Sequence, residues 1–282
     1  MTAELVDNPN YLLKLKDGEF RKIAALIKER FGINLTASKK ALVAGRLNKL
    51  IKNLGFKNFT QYLDYLENSR DSKDLLALID KISTNHSYFY REKEHFIYLR
   101  DTLLPEITAQ FSGEEIRIWC AGCAGGEEAY TLAMVIDDFF NSTGINKEFK
   151  ILATDISVQA LAAAVKGVYP AGRVKSLSPS YKNRYFHKDD NMYIIKKDLK
   201  RHILFKRLNF INRTFPFKNR FHLIFCRNVM IYFDQPTRTE LVSKFYRQLM
   251  VNGYFFIGHS ETVDRNTCPF RYIKPTIYKK DK

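Results

Sequence analysis

The chain has 282 residues, 45% of them hydrophobic, and a formal net charge of +16 from 46 Lys and Arg against 30 Asp and Glu. So much apolar material excludes a disordered or fibrous chain and supplies one large core, or a large and a small one. The charge predicts an acidic partner, whether nucleic acid, an anionic membrane face or an acidic protein surface, and does not choose among them. With neither a leader-like segment nor an apolar run of about 18 residues, a cytoplasmic protein without membrane insertion is expected. Cys120, Cys123, Cys226 and Cys268 are too few and too scattered for a disulfide framework and fit a reducing compartment.

Met1 to Asn10 reads as loose chain. From Asp17 to about Asp80 the apolar spacing is helical, in stripes of Phe20, Ile23, Leu26 and Ile27, then Leu42, Val43, Leu47, Leu50, Ile51 and Leu54, then Tyr62, Leu63 and Leu66. Gly32 and Gly55 stand where helices end. This predicts a small helical domain over residues 1–80, joined by a helical linker within Leu75 to Thr84 to a second domain over 81–282. Between Glu29 and Asp64 there is no acid, yet Lys39, Lys40, Arg46, Lys49, Lys52 and Lys57 all lie there. Lys39, Arg46, Lys49 and Lys52 share a flank beside the apolar stripe. Such a flank is either a solvated face or a docking surface for an acidic helix.

Thr84 to Glu92 (TNHSYFYRE) alternates polar and aromatic side chains and leads into a helical stretch, Phe96 to Ile107. Asn85, Ser87 and Arg91 are candidates to line one pocket wall, and His86 reads as a surface residue. The stretch IRIWCAGCAGGEEAYTLAMVID, Ile116 to Asp137, then runs from a buried-type strand through small residues into a helix opening on Glu127 and Glu128. Strand, glycine turn and helix form the entry unit of a nucleotide-binding α/β domain. The spacing is not G-x-G-x-x-G, and two carboxylates stand where a pyrophosphate needs bare backbone N–H groups. A cationic ligand suits the turn better, and S-adenosyl-L-methionine carries a sulfonium and an ammonium group and no phosphate. The simpler role of the two acids is to complement the helix dipole, worth a few tenths to about 1 kcal/mol. Trp119-Cys120-Ala121-Gly122-Cys123 imitates a redox W-C-x-x-C, but adjacent glutamates raise a thiol pKa where redox chemistry needs it lowered. A zinc site there lacks two further ligands. Packed thiols and no metal are expected.

Phe149 to Ala153 reads as a second buried strand. Asp155 at its end is placed either to accept ribose hydroxyls or to cap the helix after Ser157. Between Tyr185 and Phe210 the period becomes two, in Met192–Ile195 and Ile203–Phe205, which predicts an inserted antiparallel β-subdomain over about 185–205. Between Asn191 and Arg220 nine Lys or Arg stand against one acid, Asp198. A buried strand over Phe221 to Phe225, a helix from about Pro236 to Met250, a strand over Gly253 to Ile257 and a strand pair around Arg271 to Tyr278 complete a mainly parallel sheet. Its ligand belongs at the carboxyl ends of the strands.

Five stretches together resemble the chemotaxis receptor methyltransferases, the CheR family. They are Thr84-Asn85 through Phe89 and Arg91, GEEAY at Gly126 to Tyr130, ATDI at Ala153 to Ile156, FCRNVMIYFD at Phe225 to Asp234, and GHSE at Gly258 to Glu261. The FCRNVMIYFD run is highly specific, and the likeness extends from about Gly18 to Tyr278. The resemblance implies an α/β, Rossmann-like S-adenosylmethionine-dependent methyltransferase domain with a small N-terminal all-helical domain and a small inserted antiparallel β-subdomain. It implies S-adenosyl-L-methionine as cofactor, S-adenosyl-L-homocysteine as product, and methylation of glutamate carboxylates on methyl-accepting chemotaxis receptors. Carried over by position, the cofactor contacts fall on Asn85, Ser87, Arg91, Glu128, Asp155, Asn209, Phe210, Arg227 and Asn228, with Arg91 and Tyr232 nearest the reacting methyl. The family docks its basic second helix on acidic receptor helices, which makes Lys39, Arg46, Lys49 and Lys52 docking candidates. The β-subdomain is short near Lys188 to Met192 and lacks the glycine-containing extension of members that bind a receptor's C-terminal pentapeptide, so no tether is expected. Ser87, Tyr90 and Ala129 depart from the usual Thr, Phe and Pro, conservatively for cofactor binding.

A substrate glutamate, with a reference pKa of about 4.3, is already ionised at pH 7 and needs no general base. Catalysis then rests on alignment, worth roughly 7–11 kcal/mol, with Arg91 orienting the carboxylate or cofactor and the Tyr232 hydroxyl fixing the nucleophile. Two other readings remain: the same fold acting on another acceptor, and a noncatalytic basic protein whose nucleic-acid binding falls steeply with salt.

Overall fold

The computed structural model describes residues 12–69, 72–264 and 267–282, so the expected loose start at Met1 to Asn10 lies outside the described residues. The chain divides into two compact units. One is the chain up to Thr84 together with Tyr232–Asp234, and the other is Asn85–Ile231 with Gln235–Lys282.

The first unit is helical: α1 (Asp17–Phe31), α2 (Lys40–Asn53), α3 (Phe59–Asn68) and α4 (Ser72–Ile82). Gly32 closes α1, its N–H donating to the Lys28 carbonyl at 2.9 Å. Asn58 caps α3 by accepting the Gln61 N–H at 2.9 Å. Ile23, Ile27, Val43, Leu47, Ile51, Tyr62 and Leu63 are all buried. Each such aliphatic side chain contributes about 1.5–3 kcal/mol over exposure. Leu42 and Leu54, on the same stripe by spacing, stay 41% and 48% exposed because they fall at its margins. Ile33 bridges Phe233 in antiparallel fashion, and Lys28 pairs with Asp234 at 2.9 Å, which makes the short 232–234 segment part of this unit.

The second unit begins with α5 (Glu94–Tyr98), which runs through a π-helical turn, Leu99–Leu103, into α6 (Leu104–Gln110). Strands and helices then alternate: β1 (Ile116–Ala121), α7 (Glu127–Thr143), β2 (Phe149–Asp155) and α8 (Val158–Lys166). A small insertion holds β3 (Val168–Pro170), α9 (Pro179–Tyr185), β4 (Phe186–Asp189), β5 (Met192–Ile195) and α10 (Lys197–Lys200). The chain ends with β6 (Ile203–Arg207), β7 (Phe221–Cys226), α11 (Gln235–Gln248), β8 (Leu249–Ile257), β9 (Arg271–Lys274) and β10 (Ile277–Lys279).

Seven strands form one sheet in the order β6-β2-β1-β7-β8-β10-β9. The first five run parallel, β10 runs antiparallel to β8, and β9 runs antiparallel to β10. Every residue of β7 and all but Arg117 of β1 are buried, as in strands covered on both faces. The chain leaves β1 toward β2 and β6 on one side and returns to β7 and β8 on the other. The order therefore reverses between β1 and β7, and sheets of this kind bind ligands beyond the strand ends at that point.

The small antiparallel sheet is ordered β3-β5-β4 and spans residues 168–195, not 185–205. Ile203–Arg207, read as part of it, is instead the edge strand of the main sheet, with Ile151 opposite Ile203. An edge strand covered on one face alternates like a strand of a free-standing hairpin, so period two cannot separate them. Among the described residues no helix is long and apolar enough to cross a membrane.

Candidate active site

The turn after β1 is built by the end of β2. Gly122 and Cys123 both donate their N–H groups to the Thr154 carbonyl, at 2.7 and 2.9 Å. Asp155 accepts the Ala124 N–H on Oδ2 at 2.8 Å and the Ser157 N–H on Oδ1 at 2.9 Å. Gly122 sits at φ 90°, and a Cβ there would overlap the Val229 side chain, so glycine is required both by conformation and by the approach of the β7 loop. Capping of α8 falls to Ser157, whose Oγ accepts the Ala160 N–H at 3.0 Å. Asp155 is thereby released from the capping alternative and anchors the turn.

Arg227, just beyond β7, is the electrostatic centre. Its guanidinium donates to Glu128 Oε2 at 2.7 Å, to Glu92 Oε2 at 2.9 Å and to the Arg91 carbonyl at 2.5 Å. It lies 5.3 Å from the centre of the Phe96 ring. The side chain is 0% exposed, so what Arg227 offers a ligand is main chain. Asn228, at φ 59°, donates Nδ2 to Glu92 Oε1 at 3.2 Å. Burial would raise the Glu92 carboxyl, but the Arg227 and Asn228 bonds outweigh it and hold the pKa at about 2. Burial raises Glu128, with Arg227 opposing. Two carboxylates thus share one guanidinium.

The thiols belong to this packing. Cys120 donates to Glu128 Oε1 at 3.3 Å. Burial first, then Glu128 for Cys120 and Asp155 for Cys123, push both thiols well above their ordinary pKa. They stay protonated, opposite to what a redox pair requires.

Glu261, four residues past β8, holds the loop that carries Arg227 and Asn228. Its carboxylate accepts the N–H groups of Asn228, Val229, Met230 and Gly258 at 2.6–2.9 Å. Gly258 has to lack a Cβ because the Asn228 side chain and main chain crowd it. Reading the sequence assigned no role to Glu261 or Glu92. The available signal for Glu261 was its place soon after a parallel strand, the same place that drew attention to Asp155.

The stretch before α5 is pinned from the insertion side. Phe89 packs edge-on against Tyr169 and Phe186, at 4.9 and 5.8 Å between ring centres. Arg173 donates to the Ser87 carbonyl at 2.6 Å and stands 3.6 Å from Glu127, which ties Ser87 to the start of α7. Arg91 donates to the His86 carbonyl at 3.2 Å. Asn85 is half-buried at the head of this stretch. Leu208 donates its N–H to the Asp155 carbonyl at 3.0 Å, which sets Asn209 beside Asp155. The Phe210 ring meets Trp119 and Phe245, at 6.2 and 5.9 Å. The second unit therefore brings Glu128, Asp155, Arg227, Asn228 and Asn209 to the carboxyl ends of β1, β2 and β7, with Ser87 and Arg91 tied to them through Arg173 and Arg227.

Tyr232 belongs to the first unit, where its carbonyl accepts the Asn34 N–H at 2.8 Å. On α2, Lys49 is exposed, as is Lys39 just before it, and Lys52 is half-buried. Arg46 departs from the shared flank. Its guanidinium donates to the Ile82 carbonyl at 2.6 Å, the Ser83 carbonyl at 3.4 Å and Thr84 Oγ1 at 3.0 Å, closing the end of α4. Spacing along one helix cannot distinguish a solvent-facing arginine from one that caps a neighbour.

A mainly parallel sheet with this reversal and a glycine turn lined by carboxylates are the frame of a Rossmann-like S-adenosylmethionine-dependent methyltransferase. The CheR methyltransferase SAM-binding domain matches residues 85–279, and the CheR methyltransferase all-alpha domain matches residues 18–83. A chemotaxis protein methyltransferase of Borreliella burgdorferi is 44% identical over 96% of this chain and 97% of its own length. Another, from Escherichia coli, is 34% identical over 94% of this chain and 92% of its own. The chain belongs to the CheR methyltransferase family.

Proposed function

We propose that this enzyme methylates glutamate side chains of methyl-accepting chemotaxis receptors in the cytoplasm. The observation that carries the reading is the likeness, over nearly the whole of both chains, to relatives named chemotaxis protein methyltransferases. The acid-free basic flank of α2 supplies the physical match to an acidic receptor helix.

S-adenosylmethionine supplies an electrophilic methyl group on a sulfonium. Glu128 and Asp155 face its positive and ribose portions. Asn85, Ser87, Arg91, Asn209, Phe210 and the main chain of Arg227 and Asn228 complete the contacts. Arg91 orients the incoming carboxylate without neutralising it. One C–O bond forms as the S–CH3 bond breaks, and no proton moves. Because the Glu128 pKa is raised, a cation beside it favours the ionised form, so donor affinity rises with pH through the range where Glu128 ionises.

Lys39, Lys49 and Lys52 carry the receptor contact, with Arg46 serving the unit's own fold. The turn between β4 and β5 holds only Asp190 and Asn191, so no pentapeptide tether is required. Transfer of labelled methyl groups to receptor-bearing membranes tests the proposal. Base-labile label on glutamate supports it, and base-stable label or none refutes it. Lys49→Glu with Lys52→Glu is expected to cut transfer to receptor while leaving S-adenosylhomocysteine binding intact. Micromolar affinity for a receptor C-terminal pentapeptide would refute the tether-free part.

A further inference from the structure

Beside the Arg227 clamp, Glu92, His95 and His259 converge from two distant stretches of the second unit. Their candidate ligand atoms all lie within 4.8 Å of one another. Glu92 Oε2 is 3.7 Å from His95 Nδ1 and 4.0 Å from His259 Nε2. His95 is 2% exposed, and its neighbours determine where its proton lies. Thr276 Oγ1 is 2.6 Å from His95 Nε2 and 2.6 Å from the Pro275 carbonyl. With the Thr276 hydroxyl donating to that carbonyl, Thr276 Oγ1 accepts the hydrogen carried on His95 Nε2.

In that tautomer a neutral imidazole carries its one N–H on Nε2, and His95 Nδ1 is a bare lone pair. It is buried, has no hydrogen-bond partner, and faces a carboxylate oxygen. A buried polar group left in this state is costly. A lone pair, a carboxylate and a second imidazole facing one another call for a Lewis acid.

We propose that Glu92, His95 and His259 form a Zn2+ site. Two imidazoles and one carboxylate are a common zinc donor set, with a fourth position for water. Thr276 acts as the outer partner that orients a ligating imidazole. Zinc bonds of about 2.0–2.2 Å require the three groups to draw together, and His259, half exposed, is the one able to swing inward. Glu92 Oε2 keeps its Arg227 bond, since a carboxylate oxygen has a second lone pair. The surplus charge of Glu92 and Glu128 over Arg227 accommodates one more positive centre. Because Glu92 also holds Arg227 and Asn228, zinc there opposes binding of the cationic methyl donor; this consequence rests on the donor placement proposed above.

The full chain, stripped of metal with a chelator, is titrated calorimetrically with Zn2+ alone. One ion per chain is expected. Affinity falls at least tenfold in His95→Ala and in His259→Ala, and about tenfold in Thr276→Val. His259 is exposed enough that its substitution leaves the fold intact, which thermal unfolding checks. Cobalt substitution gives a spectrum without a thiolate charge-transfer band. No zinc binding at submillimolar concentration, binding that survives both histidine substitutions, or a thiolate band would overturn the site. Zinc bound as expected but without effect on S-adenosylmethionine affinity leaves the site standing and overturns the donor placement.

Discussion

Replacing Glu261 by Gln isolates the support of the loop that carries Arg227 and Asn228. The carboxylate is 5% exposed. Its Oε2 accepts from Asn228 at 2.8 Å and Gly258 at 2.6 Å, and Oε1 from Val229 at 2.9 Å and Met230 at 2.6 Å. Glutamine keeps the shape but aims an NH2 group at two N–H donors. Two buried donors then lose their acceptor, at about 1–3 kcal/mol each, or about 2–6 kcal/mol together. Against a typical stability of about 5–15 kcal/mol, the variant stays folded over much of that range. The damage is local first, because the four N–H groups that Glu261 accepts are the loop's own, three of them on the consecutive residues Asn228, Val229 and Met230. Urea denaturation reads the stability loss, and calorimetry with S-adenosylhomocysteine, run well below the transition, reads the site. The expected result is a lowered midpoint and at least a tenfold rise in Kd, equivalent to about 1.4 kcal/mol. A stability change under about 0.5 kcal/mol, the size of an ordinary surface substitution, together with an unchanged Kd would refute the reasoning.

Arg91→Ala removes one hydrogen bond to a main-chain carbonyl, so about 1 kcal/mol of stability is at stake, while turnover is expected to fall by roughly a hundredfold. Unchanged kcat and KM would end its assignment to the reaction. Cys120→Ser combined with Cys123→Ser is expected to lower the denaturation midpoint by burying two hydroxyls, yet to leave methyl transfer per folded molecule unchanged. Loss of transfer in the folded variant would restore a role for the thiols. Acid sensitivity in metal-free buffer follows from His95 and His222, which burial holds down to about 3 and about 4, below the ordinary value of about 6.5. The unfolded chain takes up those protons first, so stability is full above pH 6.5 and falls as the pH drops toward 4. The limiting slope for two protons is about 2.7 kcal/mol per pH unit. Glu92 adds its own loss lower, between about 4.5 and 2. Denaturation midpoints that do not change between pH 7 and 5 would contradict the burial of both histidines.

The alternation of strands and helices, the turn at Gly122 and the acid at Asp155 were readable because each is a local pattern whose period or chemistry is expressed within one element. Pairing was not. Ile203 to Arg207 carries the same alternation whether it joins a small hairpin or the edge of a large sheet, and only the partner, β2, decides. Arg46 likewise reads as a surface charge until α4 supplies the carbonyls it closes. The Arg227 cluster was the least accessible of all, since Arg227 meets Glu92 across 135 positions of chain and Glu128 across 99.

One regularity does carry back to sequence. Asp155 ends a parallel strand, Glu261 comes four residues after one and Glu128 seven, and each accepts hydrogen bonds from the site's own loops or from Arg227. Acids at these ends serve as loop-builders whether or not they also meet a ligand. Their first contribution is to hold an Asn in left-handed backbone and an arginine fully out of solvent. On the donor placement proposed above, a cationic cofactor meets a charge pattern already set by the scaffold, at little further ordering cost.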